Sequence, residues 1–334
     1  MRESDSTGQY ILRFLFNNII VVLLVIISIV VAILKPTFLQ PPSIRNMIAN
    51  TSTRFIIALG ASGAIITKGV DLTAGRAVGL TGCLAATFLQ SITYSGKVYP
   101  NIGDIPIPLV LIGVMVIAMM FGMINGIVVS YLKVPPLIAT LGMMTVIYGI
   151  CLIFTGAQPI GGLRTDYTYI AFGNLFDITF LPYLGFIATA CGVFVWFIYN
   201  KTPQGKYMYA IGGNENAAEV SGINLNRTMI IIYTMSGALY GLAGFLIGAK
   251  SGGMSVNVGF GYELEAIAGC VIGGVSTNGG IGRVSGILIG VMVFEVLKIA
   301  LQFLGVNPDY TYIVQGLVII SAVALDRRRT LAKR

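Results

Sequence analysis

Glu295 and Lys298 lie three residues apart in a stretch, 284–304, that is otherwise free of charge. Helical spacing puts them on one face, where each neutralises the other, so they read as a structural salt bridge. A second group with chemical potential is the run Gly69-Val70-Asp71-Leu72-Thr73-Ala74-Gly75-Arg76. Ionisable residues at membrane depth are costly and often functional. Asp71 and Arg76 can pair across this glycine-rich break and hold irregular backbone, or they can meet a solute. Asn125, deep in the apolar run 105–132, either lines a passage or bonds a neighbouring helix. No catalytic set can be assembled from the rest. Histidine, the commonest general base and metal ligand, is absent. Cys83, Cys151, Cys191 and Cys270 sit far apart in apolar stretches without CxxC spacing, so they read as small buried hydrophobes and no metal is expected.

The elements that must position these residues follow from composition. Hydrophobic residues make up 56% of the 334 and charged ones 10%, against roughly 25% charged in a soluble domain. Charge-free runs recur at 14–34, 77–96, 105–132, 134–156, 178–200 and 228–249. Each is long enough to cross a hydrocarbon core of about 30 Å as helix. Less regular stretches at 55–67, 266–275, 284–304 and 310–325 bring the expected count to ten. The predicted fold is an all-α polytopic bundle, one domain over 1–334, in contact with membrane lipid. With the N-terminus in the cytoplasm, the inner segments collect Arg2, Arg13, Lys68, Arg76, Lys133, Lys201, Lys206, Arg227, Arg283, Arg327, Arg328, Arg329, Lys333 and Arg334. The outer ones hold Lys35, Arg45, Arg54, Lys97, Arg164 and Lys250. That asymmetry obeys the positive-inside rule and places both termini in the cytoplasm. The net charge of +8 is dispersed in this way, and no aromatic-interleaved basic patch for nucleic acid forms.

Glycine is abundant, with 42 residues. Gly237 and Gly241, Gly244 and Gly248, and Gly282, Gly286 and Gly290 put small residues on single helix faces that neighbouring helices can approach closely. A second glycine-rich break, 274–283, resembles the first in outline, and paired broken segments point to a transport pathway. The predicted pathway residues are Gly69, Asp71, Thr73, Gly75, Arg76, Asn125 and Gly274. In the polar loop 201–227, residues 214–222 read as a miniature helix: an asparagine, Asn214 or Asn216, caps it, and Gly222 ends it in the left-handed conformation. So short a helix needs something to pack on. An external loop carries Asp166, Tyr167, Tyr169, Phe172, Phe176, Asp177 and Phe180, which read as an interfacial aromatic belt or a protein contact.

Tyr209-Ala210-Ile211-Gly212-Gly213-Asn214, followed by Ala217-Ala218 and Ser221-Gly222-Ile223, resembles the cytoplasmic coupling loop of permease subunits of bacterial sugar ABC importers. The resemblance continues in Gly69, Asp71, Leu72, Thr73 and Gly75, in 135–142, in 268–275 and in 305–308. It covers nearly the whole chain from about 46 to 326. It implies a homodimer in the bacterial inner membrane, fed by an extracytoplasmic sugar-binding protein and driven by a cytoplasmic ABC ATPase. Gly212, Gly213, Asn214, Glu215, Ala217, Ala218, Ser221 and Gly222 would engage that ATPase. No Walker A loop is present, so ATP and Mg would belong to the partner chain and this chain would be no enzyme. The implied cargo is galactose, glucose or methyl-galactoside. Ribose, another pentose or a nucleoside is the alternative within the family, and an ion-coupled secondary transporter or channel the alternative outside it.

Overall fold

The computed structural model of the chain describes residues 19–178 and 180–331. Arg2, Arg13, Lys333 and Arg334, and the start of the first apolar run, lie outside the described residues. Thirteen α-helices follow one another among the described residues, with no β-strand. They are α1 (Ile19–Leu34), α2 (Pro41–Ile66), α3 (Ala74–Phe88), α4 (Ile107–Ser130), α5 (Pro136–Thr155), α6 (Thr165–Phe172) and α7 (Tyr183–Lys201). After these come α8 (Pro203–Gly213), α9 (Glu215–Val220), α10 (Leu225–Ser251), α11 (Tyr262–Ile272), α12 (Val284–Phe303) and α13 (Pro308–Leu331). By length and apolarity alone, α4, α5, α7, α10 and α12 can each cross a membrane.

The expected short crossing at 55–67 is the second half of a much longer helix. Asn46, Asn50 and Arg54 break the apolar pattern, but α2 runs unbroken for 26 residues, about 39 Å at 1.5 Å per residue. Pairing of the half-buried Arg54 with two carboxylates explains why the charge does not end the helix. The other short crossing is short in fact: α11 has 11 residues, about 16 Å, and cannot span a core of about 30 Å. The 15 residues of α3, about 22 Å, also fall short. A count of ten crossings is therefore approximate.

The core is organised around α10, which packs on α2, α3 and α4. Glycines permit this. A Cβ on Gly122 or Gly126 of α4 would fall 2.2 Å from Tyr233 O or 2.6 Å from Ile230 Cα. One on Gly237 or Gly241 of α10 would meet α4 at 2.3 Å from Ala118 O or 2.8 Å from Met115 Cα. Two bare backbones interlock here, as the four-residue glycine spacing predicts. Gly290 of α12 meets Gly269 O of α11 in the same way, at 2.0 Å.

A cap of short segments closes the end of the bundle opposite α8 and α9. Arg164 binds Asp166 at 2.5 Å and Asp104 at 3.4 Å, and donates to Ile105 O at 2.9 Å. Tyr167 departs from the expected belt: it is fully buried, donates to Phe245 O at 2.5 Å and packs its ring on Phe245. Tyr169, Phe172, Phe176 and Phe180 are exposed. A hydroxyl that finds a carbonyl inside the bundle lets one tyrosine of the set turn inward.

Candidate functional site

The loop between α7 and α10 folds as two short helices, each capped by its own sequence. Thr202 accepts from Gly205 N and Pro203 opens α8, where its missing N–H costs nothing. Asn214 leaves helical conformation and accepts from Ala217 N at 3.1 Å, which starts α9. Gly222 has φ +84° and ends it, with Gly222 N donating to Glu219 O and Ile223 N to Ala218 O. Ala218 is buried with Ile211 and Leu225, so it fastens the helix to its own subunit. Asn214, Glu215, Ala217, Ser221 and Gly222 are exposed, as is Gly213. Val220 is 90% exposed, a bare apolar side chain at the tip of the loop. It shares the helix turn with expected contact residues, yet motif matching passes over it because a valine in an apolar sequence carries no signal.

Gly212 is buried and serves the interior. A Cβ there would stand 1.9 Å from Ile66 O and 2.5 Å from Gly280 N. Gly280 N donates to Ile66 O at 2.8 Å, Lys68 Nζ to Gly213 O at 3.3 Å, and Tyr209 OH to Gly282 O at 2.9 Å. The end of α8, the end of α2 and the second glycine-rich break thus meet at one point, which their separation in sequence conceals.

In the first break Asp71 is buried. It accepts from Thr73 N at 3.0 Å, Thr73 Oγ1 at 2.5 Å and Tyr240 OH at 3.1 Å. The expected Asp71–Arg76 pair does not form. Arg76 donates to Val256 O at 3.1 Å and stacks on Tyr148 and Phe260, at 4.1 and 5.2 Å from the ring centroids. The hydroxyls of Thr73 and Tyr240 satisfy the carboxylate in place, leaving the guanidinium to turn to other elements. Asn125 is buried and its Nδ2 reaches Thr73 Oγ1 at 3.4 Å, so it bonds a neighbouring element, while its Oδ1 has no partner. Gly69 has no room for a side chain, with Tyr233 OH 2.9 Å from where a Cβ would stand. Gly274 is exposed with φ +86°, just past the end of α11.

Glu295 and Lys298 do approach, at 3.5 Å, but in a larger network. Lys298 Nζ lies 2.9 Å from Glu265, and Arg54 lies 2.8 Å from Glu265 and 3.4 Å from Glu295. Arg54 also covers the Tyr262 ring at 3.3 Å. Two cations and two carboxylates therefore tie α2, α11 and α12 together. Arg54 and Glu265 lie too far off in sequence for any spacing argument to recruit them. Among the described residues no cluster of His, Cys, Asp and Glu fit to hold a metal occurs.

Five helices long and apolar enough to cross a membrane, packed with broken short helices and a capped helical loop, define a polytopic helical membrane protein. The chain belongs to the family described as the branched-chain amino acid transport system / permease component, whose model matches residues 43–323. It is 44% identical to the galactose/methyl galactoside import permease protein MglC of Escherichia coli K12 over 322 residues, which cover 95% of this chain and 96% of the relative. It is 42% identical to MglC of Haemophilus influenzae over the same shares, and 38% identical to the ribose import permease protein RbsC of Bacillus subtilis over 92% of this chain and 91% of that one. No solved structure matches it. The chain is therefore a permease, a transport subunit and not an enzyme.

Proposed function

We propose that two copies of the chain form the membrane pathway of an ATP-driven importer of galactose or methyl galactoside, with both termini in the cytoplasm. A separate ATPase supplies the energy, and a soluble binding protein delivers the sugar to the face capped by α6. The observation that carries the coupling scheme is the contact of Gly212 with Ile66 and Gly280. An ATPase that seats Val220, Ala217 and Glu215 moves α8 and α9, and these press on the end of α2 and on the break after α11. Both are attached to short helices within the bundle, so a displacement outside changes their packing inside. Two packed arrangements biased by ATP give alternating access.

The high identity to galactose permeases over nearly the full chain supports the cargo assignment, and the lower identity to ribose permeases makes ribose the competitor. The test is uptake of labelled galactose, methyl galactoside and ribose into proteoliposomes holding the chain with its ATPase and binding protein. Galactose uptake that requires ATP and both partners is expected. Uptake without ATP, or uptake of ribose in preference, would refute the assignment.

A further inference from the structure

We propose that Arg76, Tyr148, Phe260 and Glu263 form a subsite for a neutral polyhydroxylated solute, a monosaccharide, where the first turns of α3 and α11 meet. The inference rests on the importer reading and gives that reading its contact residues.

Both helices are too short to cross, and their N-terminal ends converge. A Cβ on Gly75 would fall 2.1 Å from Glu263 Oε2 and 2.1 Å from Gly259 O, and one on Gly79 would fall 2.6 Å from Val258 O. The backbone approaching α11 therefore lies directly on the first turn of α3, and Gly75 is glycine because Glu263 occupies the space of a side chain. The first turn of α11 has its N–H groups taken up, Tyr262 N by Gly259 O and Leu264 N and Glu265 N by Gly261 O, so what the convergent N-termini present is the positive ends of two helix dipoles. Discontinuous helices that meet in this way are where transporters place polar solutes.

The side chains at the junction point to the chemical class. Glu263 is 6% exposed, and its Oε2 has no hydrogen-bond partner. Arg76, next to Gly75, meets one acceptor among the described residues, Val256 O, and keeps further donors to spare. Tyr148 and Phe260 stack on the guanidinium and fix its plane. Phe260 is 64% exposed, so a ring face remains open beside the charges. An unused acceptor next to unused donors suits hydroxyl groups, which donate and accept at once. The carboxylate repels an anion, and the arginine repels a cation. An exposed aromatic face attracts the weakly positive C–H face of a sugar ring through its quadrupole.

The experiment compares Phe260→Ala, Phe260→Trp, Glu263→Gln and Arg76→Gln with the wild type in proteoliposomes with both partners. It measures sugar uptake and the ATP hydrolysis stimulated by loaded binding protein. Phe260→Ala should lower uptake about five- to tenfold, the scale of one aromatic contact, and leave the stimulated hydrolysis at the wild-type level. Phe260→Trp should restore uptake, and Glu263→Gln and Arg76→Gln should lower it. The control Phe186→Ala, at an exposed site on α7, should transport normally. Wild-type uptake in both Phe260→Ala and Arg76→Gln would overturn the subsite, as would a parallel loss of uptake and hydrolysis, because that pattern marks a structural or coupling role. A wild-type protein that takes up no monosaccharide with ATP would refute the importer reading before any variant is compared.

Discussion

Gly212→Ala tests the coupling scheme most directly. The added methyl would lie 1.9 Å from Ile66 O and 2.5 Å from Gly280 N, where ordinary contact begins at 3.4 Å. The backbones must therefore part by about 1.5 Å. Both obstacles are main chain, so no rotamer change relieves the clash, and the Gly280 N to Ile66 O bond is strained with it. Overpacking of this kind costs about 1–3 kcal/mol, and loss of the bond adds about 1 kcal/mol. The neighbouring residue supplies the control. A Cβ on Gly213 meets nothing within 4 Å, and replacing a helical glycine by alanine is favourable by up to about 1 kcal/mol. Thermal unfolding in detergent should show Gly212→Ala several degrees below wild type and Gly213→Ala level with it or above. In proteoliposomes Gly212→Ala should lose about tenfold in uptake per 1.4 kcal/mol of disturbed coupling, while its ATPase still co-purifies. If the two alanine variants share the same midpoint and uptake rate, the contact transmits nothing and the scheme is wrong.

Val220→Asp should weaken co-purification of the ATPase without lowering the melting temperature, because the side chain is exposed and contributes little to its own fold; pull-down and a thermal scan check the two halves. Arg54→Met leaves Glu265 and Glu295 with Lys298 alone, so it should destabilise the protein by about 3–5 kcal/mol, read by the detergent-unfolding midpoint. In the cap around α6, the hydrogen bond and charge of Arg164 hold the Asp166 carboxyl below its ordinary value. A depressed carboxylate stabilises the fold above the unfolded value of about 3.9, and that stabilisation fades as pH falls through the lower, folded value. Amide protection across 164–172, the exchange rate relative to the intrinsic rate at the same pH, should therefore be high near neutral pH and fall in acid, and Arg164→Gln should flatten the profile.

Much of the fold was legible because a bilayer imposes one requirement on every crossing, a long stretch without unpaired charge. Charge-free runs located α4, α5, α7 and α10 closely, and the caps of α9 were legible as an asparagine, Asn214 or Asn216, and Gly222 because capping is a local interaction; the fold selects Asn214. The same criterion misjudged α2. Arg54 interrupts the apolar pattern, and only its distant partners, Glu265 and Glu295, make it tolerable inside a continuous helix.

Sequence by itself determined the class of protein, the placement of α4, α5, α7 and α10, the interlocking glycine faces of α10 and the position of the capped loop. Each of these depends on residues within a few turns of one another or on a motif of fixed order. Tertiary structure alone decided who pairs with whom. Asp71 turned to Tyr240 instead of Arg76, Lys298 and Glu295 acquired Arg54 and Glu265, Gly212 came to rest on Ile66 and Gly280, and Gly75 on Glu263. Inside a bundle a buried polar group takes the best partner within reach in space. Chain separation sets no limit on that choice, so spacing along the sequence could not reveal it.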